Sequence, residues 1–124
     1  DQNLIQNFVG IDESHLVYLY QNAMVLCFCS FEEGFGLPII EAQSVGCPVI
    51  TSNLSSMPEV AGSGALLVDP FNKDAIQNKI SEIFRNPDLV QRLVTDGKKN
   101  CKRFLPNIIA QQYDELYSEI LAKD

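Results

Sequence analysis

Apolar positions along this chain fall into two patterns: short unbroken runs, and longer stretches in which they recur every three or four residues. Met24-Val25-Leu26-Cys27-Phe28-Cys29, Pro48-Val49-Ile50-Thr51 and Ala65-Leu66-Leu67-Val68 are unbroken runs bounded by polar or glycine-containing segments. Runs of that length and composition read as strands buried on both faces. Leu4 to Val9, ending at Gly10, reads as a further short strand. Leu16, Val17, Leu19 and Tyr20 recur at helical spacing behind Asp12 and Ser14, either of which can cap a helix. Pro38 to Val45 predicts the next helix, with Pro38 at its first position and Gly46 just past its end. Met57-Pro58-Glu59-Val60 predicts one helical turn ended by Gly62 and Gly64, with Glu59 an ordinary acidic residue at a helix start.

The remainder reads as helical. Asn72 caps a segment with Ile76, Ile80, Ile83 and Phe84 on one face. Asn86-Pro87 starts another, with Leu89, Val90, Leu93 and Val94, running to Gly97. Ile109, Tyr113, Leu116, Tyr117 and Ile120 mark a last helix. Each stripe has the spacing of a face packed on a core, and Tyr113 and Tyr117 are expected inside it. Strands alternating with helices predict an α/β fold. The expected form is a parallel sheet of about four strands with helices on both faces and a helical C-terminal tail, in a single domain over residues 1–124.

Composition narrows the function. Hydrophobic residues make up 46 % of the chain, enough for a core, and the formal net charge is −7. That charge argues against a nucleic-acid surface, which needs a basic stripe, and offers nothing for docking on anionic lipid. No apolar run is long enough to span a bilayer, and no basic segment followed by an apolar stretch marks a signal peptide. Of the four cysteines, Cys27 and Cys29 stand two apart in a strand and share a face. That spacing suits neither a local disulfide nor a zinc knuckle, and the single histidine, His15, reads as a surface residue. Free thiols packed as small apolar groups in a reducing compartment, hence a cytoplasmic location, is the expectation.

The stretch Glu33-Gly34-Phe35-Gly36-Leu37-Pro38-Ile39-Ile40-Glu41 carries the chemistry. It joins a predicted strand to a predicted helix through a glycine-rich turn. Amides at a helix start are unpaired, and the helix dipole favours anions there. Glu33 lies in the turn and Glu41 early in the helix. A ligand with a phosphate for the amides and hydroxyls for the carboxylates matches both features, and a nucleotide-sugar is such a molecule. Singly, each glutamate has a plainer explanation: Glu41 gains about 0.3–1 kcal/mol near the positive end of its helix, and Glu33 is a solvated loop carboxylate. In open α/β sheets ligands bind beyond the carboxyl ends of strands, where this turn, the Ser52–Ser56 loop and the segment after Val68 all fall. An NAD-dependent dehydrogenase fits poorly, because Gly34-Phe35-Gly36 is not the dinucleotide fingerprint and opens a later helix.

These residues resemble the C-terminal, nucleotide-sugar-binding domain of the family 4, or group 1, glycosyltransferases of GT-B architecture. The resemblance runs through Phe8-Val9-Gly10, Leu16 to Ala23, Ser30 to Pro38, Glu41-Ala42, Gly46 to Ile50, Ser52-Asn53, Pro58-Glu59-Val60 and Leu67 to Pro70. It implies a partial Rossmann-like domain of an enzyme that moves a hexose from a UDP- or GDP-sugar to an acceptor with retention of configuration. It implies that Glu33, the candidate catalytic residue, hydrogen-bonds donor-sugar hydroxyls and that Glu41 accepts from the ribose diol. The amides around Phe35, Gly36 and Leu37, with Gly34, are implied to hold sugar and phosphate oxygens. No metal or other cofactor is implied, since protein groups stabilise the leaving diphosphate.

The chain departs from that family in three places. The acceptor domain is missing, and so is the front of the donor domain with its Arg/Lys pair for the diphosphate. Lys98, Lys99, Lys102 and Arg103 lie in the wrong region to replace that pair, and Phe104-Leu105-Pro106 replaces an aromatic stretch. A truncated donor-binding domain without turnover is therefore expected, any membrane association being a matter for the parent enzyme. Its exposed sheet edge is expected to be covered by the first strand or by dimerisation. The alternative is a non-catalytic α/β interaction module that has lost ligand binding.

Overall fold

The central strand of the sheet, Val49–Ser52, is buried along its whole length because helices cover both of its faces. In the computed structural model, which describes residues 4–122, helix α1 (Glu13–Asn22) precedes β1 (Leu26–Phe28), α2 (Leu37–Val45) and β2 (Val49–Ser52). The short α3 (Met57–Ala61) and a 3-10 turn over Gly62–Gly64 then lead into β3 (Ala65–Val68). Helices α4 (Lys73–Arg85), α5 (Pro87–Cys101) and α6 (Pro106–Leu121) complete the chain. The sheet is parallel in the order β1-β2-β3, with Leu26 opposite Val49 and Val49 opposite Ala65.

Side chains alternate across a strand, so neighbours in β2 serve opposite faces. Val49 joins Tyr20, Ile39, Ala42, Met57 and Val60 beneath α1, α2 and α3. Ile50 joins Val68, Ile83, Leu89 and Leu93 beneath α4 and α5. Burying a side chain such as Ile50 contributes about 1.5–3 kcal/mol. The α/β class with helices on both faces of a parallel sheet is as the sequence predicts.

The caps follow the sequence closely. Asp12 caps α1 by accepting from the His15 amide, and Asn72 and Asn86 cap α4 and α5 in the same way. Gly46 ends α2 in the left-handed region, at φ 85°. Leu37 rather than Pro38 opens α2, which costs nothing because the second position also lacks an intrahelical acceptor for its amide.

Three expectations are corrected. Leu4 to Val9 forms no strand, and the sheet has three strands rather than about four. Leu4 and Val9 are 81 % and 86 % exposed, so the run finds neither a strand partner nor a covering face. The outer edge of β1 therefore stays open among the described residues, and the first segment does not cover it. Next, α5 does not stop at Gly97 but continues to Cys101. The missing side chain serves packing: a Cβ at Gly97 would stand 3.0 Å from Gln43 Cγ, and one at Gly64 would stand 2.5 Å from the Gly97 Cα. Finally, α6 buries nothing, and Tyr113 and Tyr117 are surface residues rather than core.

Two buried amides lock the elements that meet at those glycines. Asn100 donates to Gln43 Oε1 at 2.9 Å and to the Val60 carbonyl at 2.7 Å. Gln43 donates to the Ala61 carbonyl at 2.9 Å, and Arg103 donates to Asn100 Oδ1 at 2.8 Å. The network ties α2, α3 and α5 together, and neither amide stands out in the sequence.

Candidate functional site

Parallel strands place the loops that follow β1, β2 and β3 at one end of the sheet. The Asn53 amide donates to the Val68 carbonyl at 2.8 Å, joining the second loop to the end of β3. Phe31 after β1 stacks on Phe71 after β3 with ring centroids 4.6 Å apart. Phe35 packs edge-on against Phe104 at 5.5 Å. The glycine turn thus has neighbours on both sides, and the two aromatic pairs had no visible signal in the sequence.

Within the turn, Gly36 is the residue before α2 and lies at φ 101°, a conformation that favours glycine. A Cβ there would also stand 3.2 Å from Ile39 Cδ1, whereas one at Gly34 would meet nothing within 4 Å. Gly34 therefore faces open space. Among the described residues none of the amides of Gly34, Phe35, Gly36 and Leu37 donates to a protein acceptor. Unpaired amides at the start of a nine-residue helix favour an anion there.

The two carboxylates sit differently. Glu33 is half-buried, and its Oε1 accepts from Ser30 Oγ at 2.8 Å. Glu41 lies in the second turn of α2, about 6 Å along the axis from Leu37 at 1.5 Å per residue. Its Oε2 accepts from the Tyr20 hydroxyl at 3.3 Å. Burial, reinforced by the Glu41 carboxylate, pushes the Tyr20 phenol up to about 12, so the hydroxyl is a fixed donor at neutral pH. A cavity of about 150 Å³ runs between α1 and α2, lined by Glu13, Leu16, Val17, Tyr20, Glu41, Ser44 and Val45. Glu33 does not line it. Ligand pockets start at about 300 Å³. The cavity beside Glu41 has half that volume. Tyr20 read as a helix-face residue in the sequence; its reach to Glu41 depends on how α1 packs on α2.

No three His, Cys, Asp or Glu side chains converge as a candidate metal site among the described residues. The four cysteines are free thiols; Cys27 and Cys29 share a face as predicted, 3.6 Å apart, though Cys27 is exposed. No helix among those residues is long and apolar enough to cross a membrane.

The comparisons with known proteins cover most of the chain. The profile of the family described as Glycosyl transferases group 1 matches residues 3–100. The chain belongs to the group 1 glycosyltransferases. An O-antigen chain mannosyltransferase B from Escherichia coli is 39 % identical over 94 residues, 76 % of this chain and 25 % of that protein. Among solved structures, a glycosyltransferase from Rickettsia africae superposes with a TM-score of 0.82 at 29 % identity, covering 99 % of this chain and 34 % of its own. A sucrose-phosphate synthase from Thermosynechococcus elongatus gives 0.79 at 33 % identity, covering 95 % and 31 %. The group 1 resemblance and its GT-B α/β fold are thereby established. The chain spans about a third of these structural relatives and a quarter of the mannosyltransferase.

Proposed function

We propose that this chain supplies the donor-binding surface of a retaining glycosyltransferase, which passes a hexose from a UDP- or GDP-sugar to an acceptor. The free amides from Gly34 to Leu37 carry the reading. They open α2 between the two glutamates, in a sequence of group 1 membership. Amides and helix dipole receive the phosphate oxygens. Glu33 accepts from donor-sugar hydroxyls beside the reacting carbon, and Glu41, braced by Tyr20, accepts from the ribose diol. An ionised carboxylate is a strong acceptor for a hydroxyl pair. No metal or cofactor enters this scheme. The name of the mannosyltransferase relative makes mannose the first hexose to try.

The small cavity beside Glu41 supports a further element of the reading. The rest of the pocket, including an acceptor domain and the cations that neutralise the leaving diphosphate, belongs to protein outside this sequence, so this chain alone has no turnover. The open edge of β1 supports self-association through that strand, and the free thiols support a cytoplasmic setting.

Calorimetry with free UDP and GDP and with their hexose conjugates separates the two carboxylate roles. Glu41→Ala is expected to weaken free nucleotide and nucleotide-sugar alike by tenfold or more. Glu33→Ala is expected to spare the free nucleotide and remove only the extra affinity due to the sugar. Equal binding by all three proteins would refute the assignment.

A further inference from the structure

Two residues in the loop after β2 make unusual local concessions, and both are directed at the glycine turn. Ser55 is the one non-glycine residue among those described with a positive φ, at 55°. Serine rarely rests there, and such strain persists only where surrounding contacts enforce it. Its hydroxyl donates to the Glu33 carbonyl at 2.9 Å and accepts from the Glu33 amide at 3.4 Å. Ser56 is the residue before α3, where a serine ordinarily turns its oxygen back to cap the helix. Here it makes no cap bond. Its hydroxyl proton is instead shared between the Glu33 carbonyl at 3.0 Å and the Phe35 carbonyl at 2.9 Å.

The consequence follows from peptide geometry. No peptide bond among the described residues is cis, and in a trans peptide the N–H points opposite to the C=O before it. With the Glu33 and Phe35 carbonyls held towards the two serines, the Gly34 and Gly36 amides are turned away from them. Those are two of the amides without a protein acceptor. Glu33 is held at the same time: its main chain by Ser55 and Ser56, its carboxylate by Ser30.

We infer that Ser55 and Ser56 are positioning residues for the donor site: their hydroxyls fix the Glu33 and Phe35 peptides so that the Gly34 and Gly36 amides and the Glu33 carboxylate are preset for the sugar diphosphate. This rests on the donor-binding reading above and adds to it the device that orders the turn before ligand arrives. Preset donors lose less freedom on binding, so the effect appears as affinity.

Three variants test it. Ser55→Gly suits the left-handed backbone and drops the hydroxyl. Ser56→Ala drops the other hydroxyl, and Ser56→Thr keeps one. Amide ¹⁵N relaxation of the unliganded chain, followed by titration with UDP- and GDP-hexoses, gives the readouts. Ser55→Gly and Ser56→Ala are expected to fold as the parent does, to raise the mobility of Gly34 to Leu37 selectively, and to weaken the donor about tenfold. Ser56→Thr is expected to restore both properties. If Gly34 to Leu37 remain as ordered as in the parent, or loosen with unchanged donor affinity, the positioning role is overturned. If the turn loosens as expected but the parent chain binds no donor, the serine clamp stands as the device that orders the turn. The donor-binding reading then fails.

Discussion

Helices α5 and α6 look alike in sequence and behave differently in the fold. They have 15 and 16 residues, both begin with proline, and both carry an apolar stripe at helical spacing. Helix α5 buries Leu89, Leu93, Gly97 and Asn100, whereas α6 buries no residue at all. Tyr113, Leu116, Tyr117 and Ile120 stay about half exposed along its length. Periodicity identifies the face a helix can bury. It does not say whether the same chain provides the surface to bury it against. Helix α5 has that surface in β2, β3 and the Gly64 turn, and gains a polar lock through Asn100.

A matched pair of truncations tests the difference between the two helices. Leu93→Ala in α5 is expected to cost about 2–5 kcal/mol in urea unfolding, through lost transfer energy and the cavity left behind. Leu116→Ala in α6, nominally the same change, is expected to stay within about 0.5 kcal/mol of the parent. Equal costs would mean that α6 is packed as firmly as α5. Between those extremes, Asn100→Ala leaves the Gln43 Oε1 and the Val60 carbonyl buried without their donor. A loss of about 1–3 kcal/mol is expected, measured by the same unfolding curves.

A smaller effect concerns α1, whose Tyr20 is buried against α2. Burial, with the Glu41 carboxylate, pushes the Tyr20 phenol from its ordinary 10 up to about 12, and burial also pushes the Cys29, Cys47 and Cys101 thiols up. Above the unfolded-state values the unfolded chain binds fewer protons than the native one, so stability falls with rising pH. Stability from these groups is expected to be full below about pH 8.5, where even the unfolded thiols stay protonated. It is then lost progressively towards pH 12. Tyr20→Phe should remove the part of that decline above pH 10. Superimposable alkaline curves for the parent and Tyr20→Phe would contradict the Tyr20–Glu41 geometry.

Much of the fold was legible because local signals agreed with one another. The three strand runs, the caps at Asp12, Asn72 and Asn86, and the ending at Gly46 each use chemistry confined to a few neighbouring residues. What was not legible depends on partners distant in sequence. Leu4 to Val9 has the composition of a strand but pairs with none, even though the outer edge of β1 is open. Gly97 resembles a helix stop, yet it admits Gln43 and Gly64 from 54 and 33 positions earlier. At the candidate site, spacing and family pattern single out the glycine turn and both glutamates. The Tyr20 hydroxyl on Glu41, the serine clamp on Glu33 and the aromatic pairs Phe31–Phe71 and Phe35–Phe104 emerge only when separate elements meet.

Under the proposed function, the Glu33 to Glu41 segment receives a nucleotide-sugar. Amide chemical-shift mapping during titration with UDP- and GDP-hexoses, on the parent and on Glu41→Ala, tests it most directly. Saturable shifts centred on Glu33 to Glu41 with one of the two nucleotides, and lost in the variant, are predicted. A titration that moves no resonance in that segment, or moves it equally in Glu41→Ala, would contradict the claim.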